Sequence, residues 1–438
     1  MEKIMNSKNK HVAILTNLVG IVAITTVVAA LFLSPSILGF LLAPDGKIGS
    51  PKMVAEVNFF RFFIGVLGLV LYLIRNKIVV FLTNHPQVFA SLLGFGGIFG
   101  LIGTIELSLT FANRGSKDAV VLESSENKHT PTQIDKDLGY RPIVSSKIRV
   151  VKKNGNQVLY DAHYSHDSMS RRIVPSTDQN QNDKNIAIFF GDSFTYGEGV
   201  NDDETMPYFF AKTTGTFESF NYGFSGYGPQ NMLALLEDDA YLKPVVDLIQ
   251  NKDSIYCPAV IYTFIDHHVM RALGSLSVMI YGQDLPYYQI ENGEVKRTGS
   301  FSSDRRLLTN ALRFLSHSNI LKALKVDFPF KVDDKSIDTT VKIIARSRDL
   351  VSMKLNHSNF YVVIYPGSTL ASVIKPKLEA LSINVLDYTG TESGFDMSTM
   401  TIPIDRHPNG AGHRHIANLL ARDIRKTPCN DSLSINTH

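Results

Sequence analysis

Ile186-Ala187-Ile188-Phe189-Phe190-Gly191-Asp192-Ser193-Phe194-Thr195-Tyr196-Gly197-Glu198-Gly199-Val200 joins an unbroken apolar run to a glycine-punctuated polar one. A charge-free run of that length reads as a strand buried on both faces, which belongs to a parallel sheet covered by helices. Ser193 then lies just beyond the carboxyl end of the strand, where open α/β sheets present their ligand-binding edge. The runs 259–265, 360–365 and 383–386 have the same character. They alternate with segments of helical spacing at 205–213, 230–239, 340–355, 370–381 and 411–424. The expected fold is α/β, a doubly wound, flavodoxin-like parallel sheet.

Upstream the composition changes. Residues 12–44 carry no charged side chain, and residues 12–33 suffice to cross a hydrocarbon core of about 30 Å at about 1.5 Å per helical residue. Two further spans are expected at 57–74 and 88–107. The second reaches across only if Arg61 and Arg75 snorkel. In the third, Gly96, Gly97 and Gly100 would let a neighbouring helix approach. The first apolar run is too long for a cleaved signal peptide. Lys3, Lys8 and Lys10 before it predict a cytoplasmic amino terminus, so three crossings put everything after the third span outside; loss of the second span would reverse this.

The expected organisation is a membrane region at 1–113, a polar linker at 114–136, a catalytic-type domain at 137–428 and a tail at 429–438. Short strands are predicted between 137 and 164, ahead of the main sheet. Residues 270–335 break the strand-helix alternation and read as an insertion, either a lid or a structural excursion. After Arg114 the chain has 35 basic and 37 acidic residues, and this near-neutral balance argues against a nucleic-acid partner. Cys257 and Cys429 are too few for a zinc site or a disulfide framework, and could be free or paired. No phosphate-cradling loop or metal-spaced cluster occurs, so no cofactor is expected.

Asp405-Arg406-His407-Pro408-Asn409 lies just before the last predicted helix and offers an acid and a base two positions apart. A serine hydroxyl is a poor nucleophile until a base takes its proton; His407 is the candidate base for Ser193, with Asp405 to orient the ring. Asn221-Tyr222-Gly223-Phe224-Ser225-Gly226 provides unobstructed backbone N–H groups for an oxyanion, and Thr263-Phe264-Ile265-Asp266-His267-His268 ends another strand at the same edge. Glu198 and residues 202–204 read as caps of the following helix. His268, His413 and His415 read as packing or surface histidines.

Over residues 186–425 these blocks resemble the SGNH (GDSL-type) hydrolase family, and 137–142 with 191–200 resemble a bacterial, membrane-anchored branch of it. The resemblance implies Ser193 as nucleophile, Asp405 and His407 as its relay, and an oxyanion hole made by the Ser193 and Gly226 amides. The third block departs from the family's Gly-x-Asn-Asp pattern: Asp266 or His267 stands where an asparagine donor is expected. The implied function is a membrane-anchored serine esterase acting on O-acyl or O-acetyl esters of envelope glycans or lipids at the outer side of a bacterial cytoplasmic membrane. An O-acyltransferase using the same site, and a non-catalytic assembly protein with a degenerate site, are the alternatives.

Overall fold

Two compact units, Met1–Leu107 and Ser108–His438, divide the chain in a computed structural model that describes residues 2–32, 34–36, 51–115, 120–124, 132–176, 184–250, 258–328, 332–355 and 359–424. Cys257, Cys429 and the tail at 429–438 lie outside the described residues.

The first unit bears the apolar helices. Stretches long and apolar enough to cross a membrane run over Val12–Phe32, Val57–Asn84 and Pro86–Thr110. The second is ten residues longer than the sequence suggested, because the charges that bound its apolar centre do not end the helix. Arg61 Nε donates to the Ala30 carbonyl at 3.2 Å and Arg75 Nη1 to the Tyr72 carbonyl at 2.7 Å. Within this unit a Cβ at Gly68 would stand 2.7 Å from Val27 Cγ2 and 2.9 Å from the Ala23 oxygen, so the first two helices cross almost backbone to backbone. Gly96, Gly97 and Gly100 have no such neighbour within 4 Å among the described residues; the close partner expected for the third helix is not seen there.

In the second unit, β1 (Val120–Ser124), β2 (Thr132–Asp135), β3 (Gly139–Pro142), β4 (Lys147–Asn154) and β5 (Gln157–Ser165) precede the main sheet. Two of them fall in the expected linker: β1 pairs antiparallel with β4, and β2 with β3. The polar composition at 120–124 and 132–135 therefore suits edge strands, which need few apolar side chains.

The main sheet comprises β6 (Asn185–Phe190), β7 (Phe217–Asn221) and β8 (Ala259–Phe264); after a hairpin of β9 (Pro286–Glu291) and β10 (Glu294–Ser300) in the insertion, β11 (Asn359–Ile364) and β12 (Asn384–Asp387) complete it. The spatial order is β12-β11-β8-β6-β7, with every neighbouring pair parallel. Numbered from the first strand of the sheet this is the flavodoxin-like order, and the direction of winding reverses between β6 and β8. The alternating faces explain the double winding. Ile186, Ile188 and Phe190 pack with the helices at Pro229–Glu237 and Asp334–Lys354, while Ala187 and Phe189 pack with those at Met206–Thr214 and Gly410–Ile424. Full burial of such side chains contributes roughly 1.5–3 kcal/mol each. The expected doubly wound, flavodoxin-like α/β fold is thus met, and its switch point opens at the carboxyl ends of β6 and β8.

Candidate active site

Ser193 starts a single helical turn, Ser193–Tyr196, directly after β6. Asp192 caps it, its Oδ1 accepting from Phe194 N at 3.0 Å, and Gly197 closes it at φ 86°. Asp192 is wholly buried and also takes a hydrogen bond from Arg271 Nη1 at 2.6 Å, with His268 Nε2 at 3.4 Å. Burial would raise its carboxyl pKa, but the adjacent His268 ring and Arg271 guanidinium more than offset that and hold it below the usual carboxylate range. The turn that presents Ser193 is therefore anchored by a buried ion pair.

His407 arrives from the opposite end of the chain. Its Nε2 lies 2.8 Å from Ser193 Oγ, and its Nδ1 lies 2.5 Å from Asp405 Oδ1. The short Asp-to-His spacing works because the loop is tightly wound: Ile404 and Arg406 both take left-handed φ values of 70° and 68°, and Ile402 N donates to the His407 carbonyl at 2.8 Å. Phe194 packs on the imidazole, ring centroids 5.4 Å apart.

Two residues unforeseen in these roles complete the cluster. Lys152, from β4, places Nζ 2.6 Å from Asp405 Oδ2, so the early antiparallel strands reach into the site. Glu198 turns inward instead of capping the next helix: its Oε2 accepts from Ser225 Oγ at 2.6 Å and lies 3.8 Å from His407 Nε2, and its Oε1 lies 3.8 Å from Lys152 Nζ. The expected capping falls to its neighbours, with Glu204 bonding Asn201 and Thr205 capping the helix. Burial would raise the Asp405 pKa; the hydrogen bond and charge of His407, then Lys152, bring it well below the carboxylate range instead. Burial works to lower the His407 pKa, but the Asp405 hydrogen bond and the charges of Glu198 and Asp405 prevail, and it stands above the ordinary 6.5. Since the base must be neutral to accept a proton, activity should rise with pH through a midpoint above 6.5. Glu198→Gln removes an anion that favours imidazolium, so the midpoint of this limb in a kcat/KM pH profile should move to lower pH; an unmoved limb would contradict the assignment.

Gly226 has φ 82°, and a Cβ there would fall 2.2 Å from Tyr140 Oη and 2.9 Å from a ring carbon of Tyr281. Only glycine fits. Among the described residues neither the Ser193 nor the Gly226 amide donates to a protein acceptor. Tyr281 belongs to the 270–335 insertion, which thus borders the site.

Asp266 does not take the asparagine's place as a donor. Its carboxylate accepts from Ser368 Oγ, Thr369 N at 2.8 Å, Thr369 Oγ1 at 2.6 Å and Leu370 N at 3.3 Å. Its carboxylate thus holds the turn Ser368–Leu370 that leads into the helix Ala371–Glu379. His267 is exposed. Asp266→Asn should accordingly give no faster turnover, and Asp266→Ala should cost about 1 kcal/mol of stability, read as a lowered Tm; a gain in rate for the asparagine variant would restore the oxyanion role. His413 is buried and its pKa is pushed down to about 3 by burial, with Arg172 and His407 adding to the shift, which fits a neutral packing residue. Three or more His, Cys, Asp or Glu side chains placed to hold a metal ion do not occur among the described residues.

No family model matches the sequence, and no curated protein matches it. Among solved structures the chain is similar to a member of the lipolytic protein G-D-S-L family from Veillonella parvula, at 14% identity and TM-score 0.32, covering 55% of this chain and 99% of that one. An acetyl xylan esterase from Butyrivibrio proteoclasticus matches at 11% identity and TM-score 0.31, over 70% of this chain and 82% of that one. A carbohydrate esterase family 2 enzyme from Corynascus thermopiles matches at 14% identity and TM-score 0.28, over 61% and 71%. Likenesses this loose add nothing to the strand order and distances given above.

Proposed function

We propose that the chain is a membrane-anchored serine esterase that cleaves O-acyl or O-acetyl esters of envelope glycans or lipids, at the outer side of a bacterial cytoplasmic membrane. One observation carries the catalytic reading: the 2.8 Å contact between Ser193 Oγ and His407 Nε2, with Asp405 on the other ring nitrogen. Ser193 Oγ attacks the ester carbonyl as its proton passes to His407 Nε2, and Asp405 stabilises the imidazolium. The Ser193 and Gly226 amides hold the oxyanion. Collapse expels the alcohol, which takes the proton from His407; water, activated by the same imidazole, then releases the acid from Ser193. The membrane and sidedness parts rest on the three apolar helices and on the lysines before the first of them.

The hole is tested by Gly226→Ala. The new Cβ displaces the amide, and loss of one such donor costs about 100-fold to 1000-fold in kcat. Hydrolysis of a small activated acetyl ester by the detergent-solubilised chain reads this directly. Unchanged kcat in a folded variant would remove Gly226 from the mechanism, and no hydrolysis by the wild-type chain would remove the esterase reading.

A further inference from the structure

We infer that the outward stripe of the insertion helix Arg306–Leu315 docks on an anionic bilayer surface. This helix has its polarity inverted. It buries Thr309 and Leu312 against the protein, while Leu307 is 88% exposed, Phe314 81%, Leu315 43% and Leu308 42%. At about 100° per residue these four, with Ala311, share an arc of about 120° that faces solvent. Exposed Ile280, Leu324 and Phe328 extend the apolar surface within the insertion.

The charges choose the occupant. Arg306, Arg313, Lys322 and Lys325 are exposed on this helix, on the short helix Asn319–Ala323 that follows it and in the turn after that, against exposed Asp304; the carboxylate of Asp327 is already occupied by Ser277 Oγ at 2.6 Å. An apolar stripe with a basic margin is the pattern of a helix lying in a lipid interface, its lysines and arginines among anionic headgroups. A second copy of the same face would bring like charges together. The three apolar helices tether the chain to such a surface. The same insertion supplies Tyr281 beside Gly226, so docking would set the rim of the cleft at the level of lipid headgroups.

The test uses the full chain in nanodiscs, with Cys257→Ser and Cys429→Ser as background and an environment-sensitive fluorophore on Phe314→Cys or, in parallel, Leu307→Cys. Met353→Cys, at a 72% exposed position on another helix, is the control. In discs containing phosphatidylglycerol the Phe314 and Leu307 probes should shift to the blue and be quenched by spin labels on lipid tails, while the Met353 probe does neither. The docked-to-undocked ratio should fall about fivefold for each of Arg306→Gln and Arg313→Gln. Probes that stay in water, or that respond equally in phosphatidylcholine discs, would overturn the inference. A blue shift without lipid quenching would also overturn it, and would assign the stripe to a protein partner or a second copy.

Discussion

Ser193→Ala is expected to lower kcat/KM for a small activated ester by about 10,000-fold or more, with the fold intact. The side chain is buried, and trimming it to alanine removes one oxygen from a turn still held by the Asp192 cap and by Arg172 and Asn221 on its carbonyls. Among the described residues no second nucleophile stands on His407 Nε2: Glu198 Oε2, 3.8 Å away, is already engaged by Ser225. Residual rate would come from the oxyanion amides and water. The decisive readout is steady-state kinetics alongside thermal unfolding. A variant that keeps a tenth of the wild-type rate would locate the chemistry elsewhere, whereas a matching fall in Tm would point to a structural role.

The second large effect is on stability. Arg172→Met should destabilise the chain by about 3–5 kcal/mol, because a buried charged hub is removed and its partners are left uncompensated. Arg172 is fully buried, with Nε on Asp202 at 3.0 Å, Nη1 on the Tyr196 and Gly197 carbonyls at 2.9 and 2.5 Å, and Nη2 on the Val200 carbonyl at 2.6 Å. Those carbonyls belong to the segment leaving the Ser193 turn, and the guanidinium stacks 4.2 Å from the Tyr164 ring centroid. Methionine fills the volume but satisfies none of these acceptors. Denaturant unfolding in detergent checks the value; a cost under about 1 kcal/mol would mean that water replaces the guanidinium and the segment is not clamped by it.

The parts legible in the sequence are those with local signatures. Buried parallel strands are charge-free, so β6, β8 and β11 declared themselves within a residue or two, and the blocks around Ser193, Gly226 and His407 follow strand ends that the pattern already located. What escaped depends on partners remote in sequence. Lys152 sits in an alternating polar strand and looks like an exposed lysine until the fold brings it to Asp405. Arg172 and Arg271 carry no local cue that they will be buried, since burial of a guanidinium is decided by the carbonyls and carboxylates it meets. Glu198 occupies a position that helix-capping rules explain equally well, and only its tertiary contacts separate the two uses. The helix Asp239–Gln250 carries Pro244 in its interior, which breaks the propensity signal while packing sustains the helix. Asp266 shows the converse: the strand-end pattern brings it to the sheet edge, where it or His267 could stand for a donor, but the turn Ser368–Leu370 takes its carboxylate.

On this geometry Ser193 is made nucleophilic by His407. Incubating the full chain with a fluorophosphonate and measuring intact and peptide masses tests this most directly. One adduct on Ser193 in the wild type, lost in His407→Ala while that variant remains folded, is the predicted result. An unmodified Ser193 in the folded wild type, or equal labelling with and without the imidazole, would contradict it.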